Sequence, residues 1–150
     1  MQNDHSTIRR YPDAPRPAVG AVVFKGDAVL LVQRANPPSQ GVWAIPGGRV
    51  QLGETLQAAA EREILEETGV VVRANAPVLV YDVIHKDDRG AVKYHYVIVD
   101  LAADYVSGEP RAGDDAADAR WITPDELTRI PVNPATRRLL AQTFDFGNWK

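Results

Sequence analysis

The chain contains no cysteine, which excludes disulfides, thiolate-bound zinc and a cysteine nucleophile, and suits a reducing compartment. Nor is there a basic excess: 17 Lys and Arg stand against 20 Asp and Glu, for a formal net charge of −3. No global positive field therefore draws it to nucleic acid or to an anionic membrane. No stretch approaches the roughly 18 uninterrupted apolar residues that a membrane-spanning helix requires. The N-terminal MQNDHSTIRRYPDAPRP lacks the apolar core of a signal peptide, so a cytoplasmic location is expected. His5, His85 and His95 are too dispersed to suggest a zinc site, and internal repeats and low-complexity segments are missing.

What remains is an ordinary globular composition. With 150 residues, 45% hydrophobic and 25% charged, one domain with one core is expected. Residues 1–17 read as an irregular arm, because Pro12, Pro15 and Pro17 each remove a backbone donor, and residues 18–150 read as the folded body. AVGAVVF and AVLLVQR around a Gly-Asp turn predict a hairpin ending at Arg34. VWAIPGG predicts a short interrupted strand, and Glu54 to Thr68 a helix closed by Gly69. VLVYDVIHK and AVKYHYVIVDLAA, flanking DDRG, predict a second hairpin, and ADARWI a further strand. Thr123, Pro124 and Glu126 match an N-cap, a first-turn proline and a capping-box glutamate, and Asn133–Pro134 repeats a helix-start signal before ATRRLLAQTF.

The chemistry concentrates on the first of these helices. Leu56, Ala59, Ala60, Glu63, Ile64 and Glu67 fall at offsets of three and four and share one stripe. Two of those inward positions are glutamates, and Glu66 lies on the flank, so three carboxylates cluster within one turn. As a generic charge run, EREILEE would more often be a solvated face; the phase of the stripe argues otherwise. Carboxylates held this close repel one another and are costly to bury unpaired, so a cation should neutralise them. Mg²⁺ is the natural choice, because hard divalent ions take oxygen ligands and keep positions for phosphate. Arg62 lies off the stripe and can reach Glu66, either orienting it or decorating a surface.

The segment GRVQLGETLQAAAEREILEETGV resembles the Nudix box, G-x5-E-x7-R-E-U-x-E-E-x-G-U with U aliphatic, at every constrained position. The matching residues are Gly48, Glu54, Arg62, Glu63, Ile64, Glu66, Glu67, Gly69 and Val70. The resemblance implies an α/β fold, the Nudix α/β/α sandwich, with a mixed β-sheet between helices and a loop-helix-loop metal site. It implies that Glu63, Glu66 and Glu67 ligate Mg²⁺ or Mn²⁺ with the Gly47 carbonyl, while Glu54 and Arg62 brace them. A carboxylate of the box or of a later loop would act as base. SGEPRAGDD is similar to a loop of MutT-type enzymes that supplies a further acid, which places Asp115 among the metal ligands and Asp114 beside the substrate; either could equally form a turn. Arg34 resembles a phosphate-binding arginine, with a surface ion pair as its alternative. Gly48 is expected at the substrate. Asn133 resembles a base-binding asparagine, although a helix cap is the favoured role.

The box implies the bond broken, not the group attached to it. PRPAVGAVVF, GVWAIPGGRV and SGEPRAGDDAADARW are similar to bacterial ADP-ribose pyrophosphatases, so ADP-ribose or a nucleotide sugar is the expected substrate. MutT-like (d)NTP pyrophosphohydrolysis is the alternative, and a non-catalytic nucleotide sensor is the alternative of another class. The isopentenyl diphosphate isomerase branch, which uses a cysteine, is disfavoured. Relatives acting on ADP-ribose often form dimers, so a homodimer is an open expectation. Trp43 and Trp121 read as core residues.

Overall fold

The computed structural model describes residues 10–37, 39–113 and 115–147. Asp114 and His5, both weighed above, lie outside the described residues.

Among the described residues, seven strands form one mixed sheet: β1 (Arg16–Lys25), β2 (Ala28–Arg34), β3 (Trp43–Ala44), β4 (Gly47–Arg49), β5 (Val71–Lys86), β6 (Val92–Ser107) and β7 (Ala116–Ile122). The order runs β3-β2-β1-β6-β5, with β4 also on β1 and β7 also on β2. The β1–β6 pair is parallel, from Arg16 opposite Tyr96 to Phe24 opposite Asp104, and the other pairs are antiparallel. A parallel neighbour needs a long crossover, and here helix α1 (Leu56–Thr68) and β5 lie within it.

Alternation along β1 divides the core between the two faces of the sheet. Val19, Ala21 and Val23 pack with Leu101 and with Ala59, Ala60 and Ile64 of α1. Val22 points the other way, to a second cluster that includes Leu127 of α2 (Pro124–Leu127) and Leu139 and Leu140 of α3 (Pro134–Phe144). The sheet is thereby covered on both sides, as expected for the sandwich.

Two helix starts follow the capping chemistry read from the sequence, at Thr123 and Asn133, while the helix expected from Glu54 begins instead at Leu56 behind a Thr55 cap. Thr55 accepts from the Ala58 N–H at 3.0 Å, Thr123 and Glu126 form a reciprocal capping box, and Asn133 accepts from Ala135 and Thr136. Each satisfies amides that the first helical turn leaves without an intrahelical partner. The strands differ from expectation in length. β1 begins at Arg16 rather than at Ala18, so Arg16 and Pro17 lie in the sheet. β5 begins at Val71 instead of Val78 and runs through Pro77, with register shifts on either side of it. An edge strand can absorb a proline in this way, because the missing N–H need not cost a ladder bond.

Candidate active site

The glycine pair of β4 and helix α1 form the site together. Gly48 faces α1 and carries no side chain because the Glu63 carboxylate fills that space; a Cβ there would collide with it. Gly47 lies against the β1 backbone so closely that a Cβ would strike the Val19 carbonyl, and its N–H donates to Glu67 Oε1 at 3.2 Å. At the other end of α1, Gly69 takes φ 75° and closes the helix onto the Leu65 carbonyl, a left-handed cap that glycine adopts without a Cβ clash. The 108–115 loop is strapped to the same end: Arg111 N–H donates to the Thr68 carbonyl at 2.9 Å and Gly113 N–H to that of Glu67 at 2.8 Å.

Arg62 organises the carboxylates. Its Nε and one terminal nitrogen grip Glu54 at 2.6 and 2.8 Å, and the other terminal nitrogen reaches Glu63 at 2.8 Å and Glu66 at 3.3 Å. A further bond to the Arg49 carbonyl at 3.0 Å anchors the fork to β4. Planar geometry suits a guanidinium, not an ammonium, to this two-sided role. The network holds Arg62 firmly charged and, through the Arg62 hydrogen bond, holds Glu54 below the usual carboxylate range.

Glu67 is outside that fork and differs from its neighbours. Burial pushes its carboxyl up to about 8, against the lowering effect of the Gly47 amide; the charges of Glu63 and Asp115 push the same way, and Arg34 opposes them. Glu63 is 3% exposed. Glu63 is therefore enclosed and Glu67 half-buried, and the Arg62 guanidinium alone does not neutralise the acids of the stripe.

Arg34 ends β2, where the ladder to β7 slips by a residue, an irregularity of the kind that re-aims a side chain beside an active site. Its charge is felt at Glu67, so the structure brings it to the box. Asp115 is brought there too. It adopts φ 61°, its carbonyl accepts from Ala35 at 3.3 Å, and its charge also reaches Glu67. Asn133 sits apart from this cluster in role, since its carboxamide oxygen is engaged at the start of α3. Trp43 is buried in the core beneath the Arg120 guanidinium, and Trp121 packs edge-on against Tyr105.

Among the described residues no three acidic or imidazole side chains converge into a ready-made cation cage. The donor set nevertheless fits a hard divalent ion: carboxylate and carbonyl oxygens, enclosed, and with Glu67 raised by uncompensated burial. One acid that the sequence does not single out also stands out. Asp100, on an inward position of β6, is 3% exposed, and burial pushes it up to about 6. The only signal for it in the sequence is a charge at a position that strand alternation turns inward.

Residues 14–143 match the family model of the NUDIX domain. An ADP-ribose pyrophosphatase of Methanocaldococcus jannaschii is 36% identical over 116 residues, covering 77% of this chain and 66% of the relative. A putative 8-oxo-dGTP diphosphatase 2 of Mycobacterium tuberculosis is 37% identical over 126 residues, covering 82% of this chain and 84% of the relative. The crystal structure of a MutT NUDIX hydrolase from Burkholderia pseudomallei superposes with a TM-score of 0.67 at 34% identity, covering 87% of this chain and 98% of that one. The chain belongs to the Nudix hydrolase family. It is a Nudix pyrophosphohydrolase acting on nucleoside diphosphate derivatives, and Nudix hydrolases generally use divalent metals. Among the described residues, no helix is long and apolar enough to cross a membrane.

Proposed function

We propose that the protein hydrolyses the pyrophosphate bond of ADP-ribose or a nucleotide sugar with Mg²⁺, and that Mn²⁺ can replace it. The observation that carries the substrate class is the 36% identity to an ADP-ribose pyrophosphatase across 77% of this chain. Glu63, Glu66 and Glu67, with the Gly47 carbonyl and Asp115, would hold the divalent ion, which polarises phosphoryl oxygens when bound. Arg62 and Glu54 keep those carboxylates in place through the fork described above. Arg34, at the same cluster, neutralises phosphate oxygens, and Gly48 contributes to the substrate contacts through its backbone, since Glu63 occupies the space its side chain would take. Asp114 belongs to the same proposed substrate contacts. A carboxylate of the box or of the 108–115 loop takes the proton of the attacking water as the P–O bond to the leaving phosphate breaks.

A second reading is (d)NTP pyrophosphohydrolysis, supported by the 37% identity to the mycobacterial protein. The experiment that separates the two is a Mg²⁺-supplemented screen of ADP-ribose, nucleotide sugars and canonical and oxidised dNTPs. AMP with ribose 5-phosphate from ADP-ribose is the expected result. A nucleoside monophosphate with pyrophosphate, formed from a dNTP in preference, would move the assignment to the second reading. Turnover of none would overturn both.

A further inference from the structure

Asp100 belongs to no part of the cation cluster, yet it lies in register with it. Gly47 of β4 pairs with Gly20 of β1, and Gly20 pairs with Asp100 of β6. One cross-strand row thus runs from the turn that carries the Glu67 contact to a buried carboxylate. Gly20 has no side chain because Asp100 leans across it: a Cβ would stand 2.5 Å from Asp100 Oδ1 and 3.0 Å from Ile45 Cδ1. The carboxylate consequently lies over β1, about one strand spacing, roughly 5 Å, from the Gly47 backbone. Gly48 and Glu63 approach that turn from the α1 face; strand alternation puts Gly20 and Asp100 on the opposite face.

Among the described residues, no hydrogen bond or opposing charge accounts for the state of this acid. Burial alone raises it, and its charge in turn helps push the half-buried Tyr81 up to about 12, with desolvation the larger cause and Arg138 opposing. At 3% exposure the residue is mostly buried, yet its oxygens are not among the fully enclosed side-chain atoms left without a partner, so they stay within reach of a donor brought by a ligand, which a mostly desolvated carboxylate favours. A ligand bearing two adjacent donors matches the two oxygens of the group.

We propose that Asp100 is a specificity-determining residue that binds a pair of adjacent hydrogen-bond donors on the group attached to the pyrophosphate, across Gly20 from the catalytic turn. This rests on the hydrolase reading only for the identity of the ligand. Two sources offer the chemistry: the cis-diol of a ribose, as in ADP-ribose, and the N1–H and N2–H₂ edge of guanine. Because the site's acceptor is buried, a substrate lacking the donors leaves it unpaired and is rejected.

The test is Asp100→Asn, which keeps size and shape but replaces one acceptor by a donor. KM for the preferred substrate is expected to rise roughly 10- to 100-fold, with kcat nearly unchanged and with the Mn²⁺ affinity of the nucleotide-free protein unaltered. Gly20→Ala, which retains the acid but displaces its carboxylate, should reproduce the KM defect. A loss on ADP-ribose that spares dGTP assigns the diol; a loss on dGTP that spares dITP, which lacks the N2 amine, assigns the base edge. Binding of the same ligands by tryptophan fluorescence separates this inference from the hydrolase assignment: weaker binding by Asp100→Asn supports it even if the wild type hydrolyses none. Equal KM and equal binding in the two proteins, including no binding by either, with at most a change in Tm, would overturn it.

Discussion

Helices α1 and α3 cover opposite faces of one sheet and are built from similar local parts. Each starts at a side-chain cap, Thr55 or Asn133, and each ends on a left-handed residue, Gly69 or Asp145. Their inward faces differ. α3 buries Leu139 and Leu140 against the sheet and Thr136 beside Ile45, as a scaffold helix should. α1 gives up comparable positions to Glu63 and Glu67 and keeps only Ala59, Ala60 and Ile64 as its fully buried apolar contacts. Where a helix surrenders apolar burial for enclosed acids, the acids need a use that compensates, and the Arg62 fork shows how the surrounding sequence holds them in place. α3 is built as scaffold, and on the proposed function α1 gives up some apolar burial to hold the acids of the site.

That contrast can be broken at several points. The largest effect is expected from Glu63→Gln, which should remove detectable Mg²⁺-dependent hydrolysis while circular dichroism shows an intact fold; wild-type turnover would remove Glu63 from the site. Leu140→Ala, at a fully buried position of α3, should cost about 2–5 kcal/mol of stability in denaturant melts with kcat per folded molecule unchanged. Arg62→Lys keeps the charge but loses the fork, so activity or metal affinity should fall roughly 10- to 100-fold, as for other groups that orient metal ligands. Asn133→Ala should cost only about 1 kcal/mol, the usual value of an N-cap; if it instead raised KM sharply without a stability change, the side chain would have a second role at the substrate.

Much of this contrast was legible in the sequence, because the signals are local. The caps at Thr123 and Asn133, the glycine stop at Gly69 and the period of the α1 stripe all lie within a few residues of what they determine. The box acids could be picked out because phase and motif agree. Long-range pairing could not be read in the same way. The parallel partnership of β1 with β6, and with it the meeting of Gly20 and Asp100, joins residues 80 positions apart; VIVDLAA alone reads as strand filler. The extension of β5 through Pro77 was hidden because proline normally ends a strand, and only the edge position of β5 and its shifted register allow it. Asp115 reads equally as turn or ligand until the loop amides of Arg111 and Gly113 are seen tied to the end of α1.

The enclosed acids also leave a mark on stability. Glu67, raised to about 8, and Asp100, raised to about 6, hold their protons more tightly in the folded protein than in the unfolded chain. Their contribution to stability is therefore complete below their ordinary values and is lost as pH rises through about 6 for Asp100 and about 8 for Glu67. The most direct measurement is thermal unfolding of the wild type and Glu67→Gln above pH 8, first in chelator and then with excess Mn²⁺. Without metal the variant should melt higher, because it no longer confines an ionised carboxylate. With Mn²⁺ only the wild type should gain appreciably, through binding to the folded state. A variant that melts lower than the wild type in chelator and responds equally to Mn²⁺ would contradict the claim that α1 holds its inward acids for a divalent cation.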